Sequence, residues 1–299
     1  MSSYIVTGGN RGLGRAIVSA LAERVDARIV LAVRDPAAGE RAAAEIGQEL
    51  GSRCRAEFSI EPLDLASRSS VEAFIARWQG PIAGLVNNAG VQFENDIPFN
   101  DDGLELTFAV NHLHALRLSL GLIDRLDGGR VIWIGSGTHN PRHPTASRFG
   151  FRGERFVSIE DTASGLEGGT GKDRYATSKF LNLATTVELA RRFDPARVCI
   201  SCLDPGLMPG TDLARTAWAG TTSCRWRRNC CPTQARPGDP AKRWPGCCSR
   251  SSAAARTAES SITSCKPRAM PSTGCSMPKS GAAWSKTRWR CWIEPRPER

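Results

Sequence analysis

Between Tyr4 and Leu203, short apolar runs alternate with longer amphipathic ones, and this alternation limits the folds open to the chain. The strand-like runs are Tyr4–Val6, Arg28–Val33, Ala56–Pro62, Ile82–Val86, Arg130–Ile134 and Arg197–Leu203. The intervening segments Arg15–Val25, Pro36–Leu50, Ser69–Trp78, Asp101–Leu126 (with a break) and Asp173–Phe193 have helical periodicity. In the first of these, Ile17, Val18, Leu21 and Val25 share one face. Strands and helices in strict alternation predict an α/β fold, a doubly wound parallel sheet with helices on both faces. Such sheets bind ligands beyond the carboxyl ends of their strands. The stretch from Ser136 to Tyr175 breaks the alternation and is expected to be an insertion near the site.

The pattern stops after Asp204-Pro205-Gly206, and composition changes with it. The chain of 299 residues has a net charge of +10, but residues 219–299 carry 16 Lys and Arg against 4 Asp and Glu, and 8 of the 11 Cys. The first 218 residues are therefore close to neutral, so the basic balance gives no reason to expect a nucleic-acid partner. The first 218 residues hold only Cys54, Cys199 and Cys202, and so few cysteines fit a reducing compartment. No charged-then-apolar leader and no membrane-length apolar run is present. A cytoplasmic protein acting on a small molecule is expected.

Residues 219–299 are expected to be an out-of-frame translation, poorly ordered, with the fold's usual last strand missing. Back-translating Trp284–Pro295 into GC-rich codons, and starting each triplet at the third base of the preceding codon, gives approximately Val-Val-Glu-Asp-Ala-Leu-Ala-Leu-Leu-Asp-Arg-Ala. That product is an amphipathic helix. The same shift turns Cys230-Cys231-Pro232 into Leu-Leu-Pro and Cys247-Cys248 into Leu-Leu. A functional basic tail would not predict apolar helices in a second frame.

Thr7-Gly8-Gly9-Asn10-Arg11-Gly12-Leu13-Gly14 joins the first strand to the first helix. Glycines there permit a tight turn and a close backbone approach to a pyrophosphate, which the helix N-terminus then receives. Arg34, at the end of the second strand, suits a 2′-phosphate where an acidic residue would suit a ribose hydroxyl, and Arg11 could add a second charge. NADP is therefore favoured over NAD; the rival reading pairs Arg34 with Asp35 at the surface. Asp64-Leu65 ends the third strand, where a carboxylate could accept from the adenine amino group. Asn88-Ala89-Gly90 follows the fourth strand and supplies small and amide residues for close contact with a cofactor.

Tyr175 and Lys179 stand at i and i+4 on one helix, so their side chains share a face. A lysine about 4 Å from a phenol would favour phenolate by roughly 4 kcal/mol at an effective dielectric near 20, or about three pKa units. That would bring the tyrosine toward the range useful for acid–base chemistry. His139 and His143 share the i,i+4 spacing, but Asn140-Pro141-Arg142 between them opposes a helix, and no metal site is expected. Cys199 and Cys202 have the spacing of a redox Cys-x-x-Cys motif, but within a strand they face opposite sides, so packing is the better reading.

Together these motifs resemble the short-chain dehydrogenase/reductase family over residues 1 to about 215: the Thr-Gly-x-x-x-Gly-x-Gly turn, Asn-Asn-Ala-Gly, Asn111, Ser136, Tyr175-x-x-x-Lys179 and Asp204-Pro205-Gly206 in order. Arg34-Asp35, Val110-Asn111-His112-Leu113 and the insertion are more similar to its retinol dehydrogenase and protochlorophyllide reductase branch. The resemblance implies a Rossmann-like domain over residues 1–218 and an NADP-dependent oxidoreductase acting on a small lipophilic carbonyl, alcohol or activated alkene. It implies that Tyr175 is the general acid or base, that Lys179 tunes it and holds the nicotinamide ribose, and that Ser136 binds the substrate carbonyl. It further implies that Asn111 supports a water leading to Lys179 and that Pro205-Gly206 line the nicotinamide pocket. A sugar epimerase of the extended family would show Gly-x-x-Gly-x-x-Gly, which this turn lacks. A dinucleotide-binding protein without turnover, through a damaged C-terminus, is the alternative. The substrate and the oligomeric state are not readable from the residues.

Overall fold

The computed structural model describes residues 2–206 and 208. The expected out-of-frame segment, and the last strand it would replace, lie outside the described residues. Six parallel strands form one sheet: β1 (Ser3–Thr7), β2 (Arg28–Val33), β3 (Glu57–Pro62), β4 (Ile82–Asn87), β5 (Gly129–Ile134) and β6 (Val198–Leu203). Their order is β3-β2-β1-β4-β5-β6. The chain runs outward from β1 in one direction and then returns to continue from β4 in the other. The crossover point between β1 and β4 opens a crevice at the carboxyl ends of both strands. This is a Rossmann-like, doubly wound α/β fold.

The central strands are apolar because both of their faces are covered. Ile5, Val6, Ile29, Val30, Leu31, Leu85 and Val86 are fully buried. Helix α1 (Gly12–Ala22) lays Ile17, Val18 and Leu21 against Val6, Ile29 and Leu31. Helix α2 (Pro36–Leu50) begins with proline at its first turn, where no N–H is needed, and Asp35 caps it by accepting from the Ala38 N–H at 3.2 Å. Helix α3 (Arg68–Arg77) follows β3.

The segment expected to be helical from Asp101 starts later. Asn100 Oδ1 accepts from the N–H groups of Asp102 and Leu104, at 3.1 and 2.9 Å, and holds a turn there instead. Glu105 then caps helix α4 (Leu106–Phe108). A π-helical turn, Ala109–Leu113, joins α4 to α5 (His114–Gly121) and carries Asn111. Two short helices, α6 (Pro144–Arg148) and α7 (Ile159–Ala163), lie within the expected insertion. Helix α8 (Gly171–Arg192) is fixed at its start by a capping box: Thr170 accepts from the Asp173 N–H, and Asp173 accepts from the Thr170 N–H.

Among the described residues, no helix is long and apolar enough to cross a membrane.

Candidate active site

The crevice is a cavity of about 750 Å³, running from the glycine turn after β1 to the insertion and the end of β6. Every predicted site residue except Asn111 lines it: Thr7, Gly8, Asn10, Arg11, Gly12, Leu13 and Gly14 of the first turn; Arg34; Asp64 and Leu65; Asn88, Ala89 and Gly90; Ser136; Tyr175 and Lys179; Pro205 and Gly206.

The first turn is shaped to receive an anion. Gly8 and Gly12 have φ of 64° and 54°, in the region that side chains avoid. A Cβ on Gly14 would sit 2.2 Å from the Gly8 carbonyl oxygen, so the turn closes only with glycine there. Arg11 occupies the N-cap of α1 without a side-chain bond to the helix, which leaves the first N–H groups of α1 for a ligand. A dinucleotide pyrophosphate fits this cradle. Thr7 and Asn88 join the two central strands. The Thr7 hydroxyl accepts from the N–H groups of Asn88 and Ala89, both at 3.0 Å, and donates to the Val86 carbonyl at 3.3 Å. Asn88 returns a bond to the Thr7 carbonyl at 2.9 Å. Their contribution is to hold the floor of the crevice.

Arg34 follows β2 and reaches the cavity. It is not paired with Asp35, because Asp35 caps α2 and lies 4.0 Å from Arg41. Asp64 accepts from the Ala66 N–H at 2.9 Å and faces the same region of the cavity.

At the other end, Tyr175 and Ser136 line the cavity together, and the Ser136 side chain acts to lower the Tyr175 pKa. The Ser136 hydroxyl accepts from Thr138 Oγ1 at 3.1 Å, and the Ser136 carbonyl lies 2.6 Å from His139 Nδ1. Both Tyr175 and Lys179 are buried. Lys179 Nζ donates to the Ile134 carbonyl at 2.8 Å and lies 5.5 Å from the centre of the Tyr175 ring. The expected lowering of the tyrosine is not found. Burial raises the Tyr175 pKa above its ordinary value, Asp204 adds to the rise, and the Ser136 side chain only partly opposes it. Burial also lowers Lys179 to about 8, against opposing pulls from Cys202 and Asp204. The lysine sits over the ring and spends a proton on a carbonyl, so desolvation outweighs its attraction for a phenolate.

Asn111 lies behind the cavity wall. Its Nδ2 donates to the Val91 carbonyl at 2.9 Å and to Ser178 Oγ at 3.1 Å, while its Oδ1 accepts from the Val91 N–H at 2.7 Å. It clasps the loop after β4 with both ends of its amide, a use that the spacing of the motifs did not reveal. Other lining residues also went unrecognised: Gln92 and Phe93 on that loop, Leu106 and Val110 on and after α4, and Thr138, His143, Phe149 and Phe151 of the insertion. His143 caps α6. Among the described residues, no group of three or more His, Cys, Asp or Glu could hold a metal ion. Among the described residues, Cys54, Cys199 and Cys202 form no disulfide with one another.

The family model for short chain dehydrogenase matches residues 3–149. The chain is 30% identical to an uncharacterized protein from Mycobacterium paratuberculosis whose crystal structure superposes with a TM-score of 0.57, covering 73% of this chain and 72% of that one. The chain belongs to the short-chain dehydrogenase/reductase family. Within the family it is 35% identical to retinol dehydrogenase 14 of Mus musculus, over 71% of this chain and 63% of that protein. It is 33% identical to protochlorophyllide reductase A of Arabidopsis thaliana, over 71% of this chain and 56% of that protein. The chain thus spans less than two thirds of the length of these relatives. A family fold is also shared with a short-chain dehydrogenase from Sphingobium yanoikuyae in complex with NADPH, at 21% identity and a TM-score of 0.51.

Proposed function

We infer that this chain is an NADP-dependent oxidoreductase acting on a small lipophilic carbonyl or its alcohol, or on an activated alkene. The observation that carries the reading is the Tyr175–Ser136 pair lining one cavity. It stands in the same cavity as a glycine turn built for a pyrophosphate and an arginine free of its neighbouring aspartate. The relatives named above, a retinol dehydrogenase and a protochlorophyllide reductase, support an oxidation–reduction reading of this scaffold.

When bound, the nicotinamide would supply or receive hydride. The protein's part is the proton and the orientation. Tyr175 holds its proton at Oη through the neutral range, because burial keeps its pKa high, and so it enters a reduction as the acid. Ser136, on the same cavity wall as that hydroxyl, is placed to share the same substrate oxygen. As negative charge develops there, two O–H donors would stabilise it in a site screened from water. Lys179, with a pKa near 8, is the adjacent group able to exchange a proton with little cost near neutral pH. Asn111 would act by fixing the loop across from this pair.

The test is Tyr175→Phe, which keeps the ring and removes the proton. NADPH binding, titrated by fluorescence, is expected to stay within about threefold, while ketone and aldehyde reduction should fall by at least about 10²-fold, the scale of an acid–base contribution. Carbonyl reduction close to the parent rate in the variant would refute the assigned role. A parent chain that binds NADPH and turns over no aldehyde, ketone, quinone or activated alkene would instead be a dinucleotide-binding protein.

A further inference from the structure

We propose that Gln92 is a substrate-recognition residue, and that the substrate is an aromatic carbonyl compound with a second oxygen function remote from the reacting one. This rests on the oxidoreductase reading of the same cavity.

Gln92 lies two residues beyond Gly90 on the loop leaving β4, and it lines the cavity. It is only 8% exposed, and its Nε2 is buried with no hydrogen-bond partner among the described residues. A buried amide NH₂ rarely stays unpaired in a folded protein, so this one points to a ligand group. The loop cannot easily relieve it. On one side Val91 is held through both its N–H and its carbonyl by Asn111. On the other, the Phe93 carbonyl packs so closely on α8 that a Cβ at Gly171 would lie 1.6 Å from it. The amide is therefore kept inside a loop fixed at both neighbours.

The rest of this region says what kind of molecule would carry the partner. Phe93, Leu106, Val110, Phe149 and Phe151 line the same cavity and offer apolar and largely aromatic surface. One carboxamide among such walls orients an apolar ligand through a single neutral hydrogen-bonding group. The reacting oxygen is matched to Ser136 and Tyr175, so the atom meeting Gln92 is a second one. A 180° turn of the amide exchanges its oxygen and nitrogen, and thus it can meet a donor or an acceptor. A hydroxyl is both, and it suits the site in either setting. A site that commits a buried polar group to a substrate hydroxyl discriminates strongly against the analogue lacking it.

The experiment uses the full chain loaded with NADPH, α-tetralone and its ring-hydroxylated isomers, with dissociation constants from calorimetry. At least one hydroxylated isomer is expected to bind about tenfold more tightly than the parent ketone. In Gln92→Leu that preference should disappear, whatever the change in the affinity for the parent ketone. Gln92→Met, which keeps the unbranched shape, repeats the comparison if the leucine variant does not fold. Hydroxylated isomers that bind no better than the parent, a preference that survives both substitutions, or a failure of every ketone to bind would each overturn the assignment. Binding is read without turnover. A Gln92-dependent preference without any oxidation of NADPH would refute the oxidoreductase reading and leave this one standing, whereas turnover without the preference would do the reverse.

Discussion

Under the proposed function, cofactor choice would rest on one guanidinium, that of Arg34. Its neighbour Asp35 has the obvious charge to neutralise it, yet Asp35 is engaged with the first turn of α2 and with Arg41. Arg34 therefore reaches the cavity with its charge available, and Arg11 lines the cavity with it. A phosphate ester would gain charge-assisted hydrogen bonds that a ribose hydroxyl cannot supply at equal strength. At roughly 1.5–3 kcal/mol for a bond to a charged group, NADPH should bind about tenfold to a hundredfold more tightly than NADH. Arg34→Ala should weaken NADPH toward the NADH value and leave NADH almost unchanged. Fluorescence titration of both cofactors against both proteins measures this. Equal affinities in the parent, or undiminished discrimination in the variant, would count against an arginine-read phosphate.

At the scale of elements, the loop after β4 is seated against the first turn of α8. Gly171, the first residue of that helix, lies under the Phe93 carbonyl, and the nearest atoms a side chain would meet are backbone. Next to it, Arg174 and Glu105 form an ion pair at 3.7 Å with both side chains almost fully buried. Arg174 also donates to the carbonyls of Gly169 and Asp96, at 3.0 and 2.9 Å. Glu105 caps α4, so the pair ties α4, the loop and α8 together just before Tyr175. Gly171→Ala should force the loop and helix apart. The expected cost is about 1–3 kcal/mol of stability, the range for overpacking a close contact, with loss of ketone binding greater than loss of NADPH binding. Chemical denaturation and paired titrations would check it. A variant as stable as the parent, with unaltered ketone affinity, would mean that this contact does not govern the site.

Across the whole molecule, what the sequence revealed follows the range of the forces involved. Arg28–Val33 and Pro36–Leu50 were readable to the residue, because an apolar run, Asp35 and Pro36 mark their limits locally. The glycine turn and the Tyr175–Lys179 pair were readable for the same reason: their chemistry lies in short spacings. Asn111's grip on Val91, the π turn that carries it, and the burial that raises rather than lowers Tyr175 come from contacts between distant segments. His112 belongs with these. Its ring lies 5.8 Å from that of Phe108 and 6.2 Å from that of Trp133, and its Nδ1 is 3.0 Å from Asn182 Oδ1. Burial lowers its pKa from 6.5 to about 4, partly opposed by Asn182. The unfolded chain therefore takes up a proton at this residue near pH 6.5, while the folded chain resists it until about pH 4. Across that window the unfolded state holds more protons, so stability falls as pH falls. The full difference is about 3 kcal/mol, approached near pH 4 and absent above pH 7. His112→Gln removes the titration, and urea denaturation at pH 7 and pH 4.5 isolates its effect. Carboxylates and His114, which burial also lowers, weaken both proteins alike. The parent should lose about 2 kcal/mol more than the variant between the two pH values. Equal losses would show that His112 accepts a proton in the folded protein as readily as in water.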